Sequence, residues 1–162
     1  MPRFYCNQPL ETGMLLTLPE AVSHHIQVLR LNEGDLITLF NGAGGEYSAS
    51  IARIEKKRVH ALLRAFSDRE AEPAHGLALA QALPEGSKMD WVIEKAVELG
   101  ATAIQPLISS RSVVRLSDDR AAKKISHWQG IMASAAEQCG RNRLPHLGEP
   151  LSFSSWIAQQ DL

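Results

Sequence analysis

The sequence has 162 residues, enough for one medium-sized domain or two small ones. Hydrophobic residues make up 44% of it and charged residues 22%, a balance that is typical of folded globular proteins and argues against disorder. Its short apolar runs and its two distant cysteines argue against a membrane span, a secretory signal and a disulfide framework, so we expect a cytoplasmic protein with no membrane partner.

The first seventy or so residues have the pattern of a small β-barrel. Short segments that alternate between apolar and polar residues recur along this stretch, separated by turn residues. Pro19 predicts the start of a helix that runs to about Arg30. Glycines 42, 44 and 45 predict a hairpin loop rather than a phosphate-binding loop, because they lie between two predicted strands. The predicted strands cover residues 14–18, 35–40, 46–54 and 58–66.

The pattern changes after the polar stretch 67–73, which we interpret as a linker. Residues 77–83 predict a buried strand. A helix follows, with Ser87 as its N-cap, Asp90 as an acidic capping partner and Gly100 at its end. Residues 103–108 predict the next strand. A strand, a helix and a strand in this order predict a right-handed βαβ unit with a parallel sheet.

A longer helix is predicted between Ser117 as its N-cap and Gly140 as its end. An apolar residue recurs every three or four positions along it, which is the spacing of one buried helix face. Trp91 and Trp128 are interpreted as packing residues, and residues 151–160 predict one short helix. The apolar face consists of Ala121, Ile125, Trp128, Met132, Ala135 and Cys139.

The second half of the chain predicts an incomplete sheet. Two predicted parallel strands are too few, because parallel sheets are normally covered on both faces. We therefore expect a second domain that is unfinished or that completes itself with another chain.

Net charge is only −1, but the basic residues are clustered. Residues 111–143 contain seven basic and three acidic side chains, and residues 53–64 contain five basic side chains against Glu55. Such local excess is what a phosphate backbone requires, although solvated helix and turn faces give the same pattern. The sequence contains no P-loop, no nucleophile motif and no Cys/His spacing of a metal site, so we expect no metal.

A polar cluster marks the end of the long helix, at Glu137, Gln138 and Arg141–Arg143. One interpretation is a helix end at which basic side chains complement the helix dipole. The other is a cleft in which Gln138 and Arg141 contact RNA, joined by Arg111 beyond the second strand of the βαβ unit, where open α/β sheets bind ligands.

These residues resemble the bacterial 16S ribosomal-RNA uridine-N3 methyltransferases of the SPOUT (trefoil-knot) superfamily. Each matching segment is short, but their order and spacing along essentially the whole chain are specific. The segments are His24-His25, Val28–Leu31, Gly34-Asp35, Leu39–Gly42, Lys88-Met89, Glu94–Gly100, Ser110–Ser112, Trp128, Ala135–Arg141 and Pro145.

The resemblance implies an α+β protein with a PUA-like, RNA-binding β-barrel at residues 1–72 and the N-terminal part of a SPOUT domain at residues 73–162. It implies S-adenosylmethionine as methyl donor, 16S rRNA of the small subunit as substrate, and a homodimer. The family's later donor-binding loops have no match here, so we expect methyl transfer by the parent protein and, in this chain, a fragment that lacks a complete donor pocket and is inactive alone. A non-catalytic RNA-binding fragment and a methyltransferase acting on tRNA remain the alternatives.

The resemblance and the charge pattern together give the expected site residues. Arg141, Glu137 and Arg111 are expected at the reaction centre, where positive charge favours the uracil anion and Glu137 is a candidate base. Gln138 is expected to contact the donor. The expected RNA-binding residues are His25, Arg30, Lys56, Lys57, Arg58, Lys88, Arg111, Arg115 and Arg143.

Overall fold

The computed structural model describes residues 1–109 and 118–159. The chain divides into two units. Unit 1 consists of Met1–Ala71 together with Gly140–Arg143, and unit 2 consists of Glu72–Cys139 together with Leu144–Leu162. The chain therefore leaves unit 2 after its long helix, contributes four residues to unit 1, and returns.

Unit 1 is built on one mixed five-stranded sheet in the order β1-β3-β4-β5-β2. Strand β1 runs parallel to β3, and the other pairs are antiparallel. Register shifts interrupt the β4–β5 ladder at two places, and such bulges bend a sheet. The elements are β1 Arg3–Tyr5, β2 Leu15–Thr17, α1 Glu20–Val28, β3 Leu36–Phe40, β4 Glu46–Ile54 and β5 Val59–Ser67.

The core of unit 1 lies between this sheet and α1. Alternate residues of β4 and β5 point inward, so that Ala49, Ile51, Ala61 and Leu63 are almost completely buried. Helix α1 adds Ile26, which is fully buried. The β-rich half predicted from the alternation is confirmed, and the glycines of residues 42–45 form the predicted hairpin loop with positive φ angles.

Unit 2 contains a parallel sheet in which β6 and β8 flank β7, and β9 also pairs with β7. The predicted βαβ unit is confirmed. The elements are β6 Ala78–Ala82, α2 Lys88–Glu98, β7 Ala103–Ile108, α3 Asp118–Cys139, β8 His146–Leu147, β9 Leu151–Ser152 and α4 Phe153–Ile157.

Two sequence predictions in unit 2 are wrong. Ser87 is the N-cap residue of α2, as predicted, but its side chain makes no capping hydrogen bond. The Asp90 carboxylate accepts hydrogen bonds from α3 and is not a capping partner. Trp91 is 64% exposed, because it lies outside the buried face of α2, whereas Trp128 is buried as expected. The short helix predicted within residues 151–160 is present, but it covers only Phe153–Ile157 and follows strand β9. The predicted N-cap Ser117 lies outside the described residues.

A polar contact joins the two long helices of unit 2. Asp90 of α2 accepts a hydrogen bond from the Trp128 indole N–H at 3.2 Å, and its other oxygen lies 2.9 Å from His127 Nε2. Trp128 is 1% exposed, so its N–H would lose water without a partner. Asp90 therefore satisfies a buried donor and fixes where α3 packs on α2.

Gly100 is required at the end of α2. Its φ is +88°, and a Cβ there would lie 2.9 Å from Pro73 Cγ. We expect Gly100→Ala to lower the free energy of unfolding by about 2 kcal/mol, measured by urea titration. Gly130→Ala in α3 is the matched control, because a Cβ there meets no atom within 4 Å. It should stabilise the protein by up to about 1 kcal/mol, since alanine is the better helix former. Equal effects of the two substitutions would contradict this assignment.

Candidate functional site

The segment after α3 is held tightly within unit 1. Gly140 has φ +83° and ends the helix as predicted. The next two residues are then almost excluded from water, with Arg141 at 3% and Asn142 at 0% exposure. Polar side chains are buried this deeply only when they have partners. We call Gly140–Arg143 the 140–143 segment.

Asn142 is bound on both sides of its amide group. Its Oδ1 accepts a hydrogen bond from Arg3 Nη2 at 2.6 Å, and its Nδ2 donates to the carbonyl oxygen of Arg69 at 2.6 Å. Arg3 Nη2 also lies 3.3 Å from the carbonyl oxygen of Arg141. The amide of Asn142 therefore forms hydrogen bonds with a side chain of β1 and with the backbone beyond β5.

Glu46 joins the two arginines that hold this segment. Its carboxylate accepts hydrogen bonds from Arg3 Nη1 and from Arg69 Nη1, the latter at 3.3 Å. Arg69 Nη1 also donates to the carbonyl oxygen of Gly140 at 3.1 Å. The guanidinium of Arg3 further stacks over the Phe40 ring, 5.0 Å from its centroid. The 140–143 segment is thus anchored by a connected network rather than by one ion pair.

The pKa of Glu46 lies below its ordinary value of 4.5. Burial raises the pKa of this carboxyl, but the hydrogen bond and charge of Arg3, with the charge of Arg69 and a hydrogen bond with Asn142, outweigh burial. A carboxylate whose pKa is lower in the folded state stabilises the fold above its unfolded-state pKa, and this contribution is lost as pH falls through its folded-state pKa.

We therefore expect the stability difference between the wild-type protein and Glu46→Gln to be largest near neutral pH and to shrink as pH falls below the ordinary glutamate value of 4.5. Urea titrations of both proteins across this range measure it. Glu11→Gln, at an exposed position, is the control and should show no such trend. A difference between wild type and Glu46→Gln that does not change with pH would contradict the role of the charge.

The end of the 140–143 segment contacts the hairpin loop between β3 and β4. Arg143 forms isolated β-bridges with Gly42 and Ala43. Its side chain is 54% exposed, and its Nε lies 3.3 Å from Glu70 Oε1. The same carboxylate oxygen accepts a hydrogen bond from the Gly45 N–H at 2.8 Å. Arg143 is thus a surface cation, whereas Arg141 two residues earlier is buried.

A second group of expected RNA-binding residues lies on unit 1. Lys56 and Lys57, in the β4–β5 turn, line a groove of about 220 Å³ together with Glu20, His24 and Gln27 of α1. Gln27 Nε2 donates to the carbonyl oxygen of Glu55 at 3.1 Å, which fixes the turn against the helix. The structure therefore brings these two lysines beside α1.

The other expected RNA-binding residues are on the surface where the structure describes them. Arg58 is exposed beside the lysines, and exposed Arg30 has φ +55° just after α1. The exposed His25 ring packs edge-on against Phe4, with centroids 5.3 Å apart. Lys88 is exposed in the first turn of α2. Arg111 and Arg115 lie outside the described residues.

In unit 2, α2 and α3 border a polar groove of about 670 Å³. The exposed Gln138 lines it, while Glu137 beside it is half-buried. Lys95 lies in the same groove, with its Nζ 2.8–2.9 Å from carboxylate oxygens of Glu94 and Glu98. These neighbours raise the pKa of Lys95 through their hydrogen bonds and charge. The remaining lining residues are His127, Gly130, Ile131, Ser134 and Ala135.

No group of three or more His, Cys, Asp or Glu side chains within residues 1–109 and 118–159 is arranged to hold a metal ion. In the same part of the chain, no helix has the length and apolar character needed to cross a membrane.

Arg3, Glu46 and Arg69 were not singled out from the sequence, and Asn142 was named only as a member of the polar cluster at the end of the long helix. Arg3 and Asn142 are 139 positions apart, so no local pattern connects them. The sequence signal for this site was therefore limited to Asn142 and its place directly after the matching segment that ends at Arg141.

Two family models match the chain, one after the other. The model described as the PUA domain of RNA methyltransferases matches residues 18–64, and the RNA methyltransferase domain matches residues 71–162. The second match covers more than half of the chain, and the order of the two agrees with the expected α+β architecture.

Named relatives and solved structures agree with these matches. The small-subunit ribosomal RNA methyltransferase E of Bacillus subtilis is 37% identical over 85% of this chain and 54% of its own length. The protein of the same name from Synechocystis is 36% identical over 88% of this chain and 45% of its own length. The chain thus spans about half the length of these relatives.

Among solved structures, the methyltransferase E of Neisseria gonorrhoeae bound to S-adenosyl methionine has a TM-score of 0.94 and 38% identity, covering 99% of this chain and 66% of that one. A putative methyltransferase from Legionella pneumophila, in complex with the same cofactor, has a TM-score of 0.94 and 36% identity. The match covers 98% of this chain and 66% of that one. The resemblance found in the sequence is confirmed: the chain belongs to the RNA methyltransferase family, with a PUA domain followed by a methyltransferase domain.

Proposed function

We propose that the full-length protein transfers a methyl group from S-adenosylmethionine to N3 of a uridine in 16S rRNA of the small ribosomal subunit. The observation that carries the proposal is the similarity to two S-adenosylmethionine-bound structures over nearly the whole chain, each with a TM-score of 0.94. The names of the relatives support ribosomal RNA of the small subunit as the substrate.

Gln138 is the proposed contact to the methyl donor. The groove that it lines offers amide, hydroxyl and imidazole groups beside the apolar surface of Ile131 and Ala135. Adenosine and its amino-acid tail require this mixture of hydrogen-bonding and apolar surface, so the residues present fit part of the donor. When bound, the donor supplies an already activated methyl group on a sulfonium, which leaves the protein to position the reactants and manage the proton on the uracil ring.

Arg141 and Arg111 are proposed to favour the uracil anion that forms when N3 loses its proton. Arg141 keeps only 3% of its surface in water, so solvent screens its charge little. Glu137, two residues before the end of α3, is the candidate base. The target uridine has to leave its stack for N3 to be reached.

The exposed cations of both units are proposed to bind the RNA backbone. His25, Arg30 and Lys56–Arg58 lie on unit 1, and Lys88 lies on unit 2. Arg111, Arg115 and the exposed Arg143 complete the proposed set. Neutralising phosphates with such side chains gives affinity without base specificity, and salt weakens it. We also propose that the protein is cytoplasmic and forms a homodimer. Sedimentation equilibrium tests the homodimer.

The substrate is tested by incubating the full-length protein and labelled S-adenosylmethionine with purified small ribosomal subunits or with bulk tRNA. We expect label in 16S rRNA and none in tRNA. Label in tRNA alone would instead support a tRNA methyltransferase. Titration calorimetry with the donor separates an enzyme from a non-catalytic RNA-binding module: the enzyme binds S-adenosylmethionine, and the module does not.

A further inference from the structure

We propose that the end of strand β5 carries a stacking site for one unpaired RNA base, formed by Phe66 on Tyr47 and bordered by Arg143. None of the residues expected from the sequence to bind RNA supplies an aromatic face of this kind except His25. The inference rests on the proposed function, because it assigns a contact to the RNA that the protein would methylate.

Phe66 is an exposed aromatic ring in a fixed place. It lies directly opposite Tyr47 in the β4–β5 ladder, with ring centroids 5.0 Å apart and planes inclined by 54°. Tyr47 is half-buried and packs against the core of unit 1, whereas Phe66 is 51% exposed. Tyr47 therefore supports one side of the Phe66 ring and leaves the rest in water.

The backbone of the β3–β4 hairpin loop holds the ring from another side. A Cβ on Gly45 would collide with Cε2 and Cζ of Phe66, so only glycine allows this approach. Gly45 has φ +66°, and its N–H is bound to Glu70. The ring is thus positioned before any ligand arrives, which reduces the ordering that binding requires.

The surroundings of the ring carry the charge that a nucleotide requires. Glu70, which binds Gly45, also pairs with Arg143, so the guanidinium and the aromatic ring adjoin the same loop. The ion pairs around this loop and the 140–143 segment join three guanidiniums to two carboxylates. The guanidiniums are those of Arg3, Arg69 and Arg143, and the carboxylates are those of Glu46 and Glu70. Arg141 of the segment adds a fourth guanidinium, which is buried.

An unpaired nucleotide fits this surface better than an apolar peptide. Single-stranded RNA is bound by stacking bases on aromatic side chains while nearby cations contact phosphates. Arg143 is more than half exposed and supplies the cation. The carboxylates of Glu46 and Glu70 are each paired with an arginine, so they repel a phosphate less strongly. Charge complementarity therefore favours RNA.

The test is fluorescence anisotropy with a labelled single-stranded uridine oligonucleotide and with the same backbone lacking its bases. We expect Phe66→Ala to weaken binding of the complete oligonucleotide about five- to hundredfold, the range that loss of one stacked base produces. Phe66→Tyr keeps the aromatic face and should bind like the wild-type protein. The abasic oligonucleotide should bind the wild type and Phe66→Ala equally.

Leu36→Ala is the matched control, because Leu36 is 59% exposed in the same sheet and lies on β3. It should leave affinity unchanged. The salt dependence separates stacking from charge: Arg143→Gln should lower the salt slope by about 0.7, and Phe66→Ala should leave it unchanged. If Phe66→Ala lowers thermal stability, Phe66→Leu retains an apolar side chain without an aromatic face and replaces it in the comparison.

Three results would overturn the stacking site: no RNA binding by the wild-type protein, equal binding by wild type and Phe66→Ala or Phe66→Leu, or equal losses for the complete and abasic oligonucleotides. Each leaves methyl transfer by the wild-type protein to be judged in its own assay. Failure of that assay refutes the proposed function, whatever the effect of Phe66.

Discussion

Replacing Arg141 by alanine is expected to reduce methyl transfer to small-subunit RNA by at least about 100-fold. The buried guanidinium, 3% exposed, is proposed to stabilise the uracil anion in surroundings that screen charge poorly. Removing a charge that acts on the reaction should lower kcat more than it raises KM. Labelled methyl incorporation, measured over a range of RNA concentrations, gives both constants.

Two further variants make the Arg141 result interpretable. Arg141→Lys retains the charge but not the planar fork of donors, so we expect partial recovery of kcat. Arg58→Ala removes an exposed guanidinium of unit 1 and should weaken RNA binding while leaving kcat nearly unchanged. Thermal unfolding of each variant checks that the fold persists. Near-normal kcat in a folded Arg141→Ala protein would refute the assigned role.

Replacing Asn142 by alanine is expected to lower the free energy of unfolding by about 3 kcal/mol. The substitution deprives the Arg3 guanidinium of an acceptor and the Arg69 carbonyl of a donor, both at 2.6 Å, at a position that water does not reach. Groups that are left buried without partners cost more than the lost hydrogen bonds themselves. Urea titration at neutral pH measures the change.

Asn7→Ala is the control for Asn142→Ala, because Asn7 is exposed and its loss should change stability little. Asn142→Asp separates the two halves of the amide: the carboxylate still accepts from Arg3 but cannot donate to the Arg69 carbonyl. We expect it to be less stable than wild type. If Asn142→Ala unfolds at the same urea concentration as Asn7→Ala, the buried network does not hold the 140–143 segment.

Most of the fold could be predicted from the sequence, because its main elements are long enough to be periodic. Helix α3 repeats apolar residues over 22 positions and ends at a glycine, and strands β4 and β5 each alternate over nine residues. Strands β1, β8 and β9 have only two or three residues, too few for any period, and were missed.

One error occurred where a polar side chain has a partner far along the chain. Asp90 stands at the spacing of a capping partner, but it binds Trp128, 38 positions away. Helix α2 has one buried face through Met89, Ile93 and Ala96, and Trp91 lies outside it despite its size. Local spacing alone shows neither that Asp90 has a distant partner nor that Trp91 lies outside the buried face.

In the candidate site, too, the local features could be predicted from the sequence and the long-range contacts could not. The polar cluster at the end of α3 was evident from the sequence, and so were the basic turns. The contrast between Arg141, which is buried, and Arg143, which is exposed, depends on how the 140–143 segment packs against β1 and the residues beyond β5. The roles proposed for Glu137, Gln138 and Arg141 come from the resemblance and remain predictions.

The central claim is that the protein methylates N3 of a uridine in 16S rRNA. The most direct test is mass spectrometry of nucleosides from small subunits that lack the modification, after incubation with the protein and S-adenosylmethionine. We predict the appearance of 3-methyluridine in 16S rRNA and its absence when Arg141→Ala replaces the wild-type protein. Wild-type protein that binds the donor and the RNA but forms no 3-methyluridine would contradict the claim.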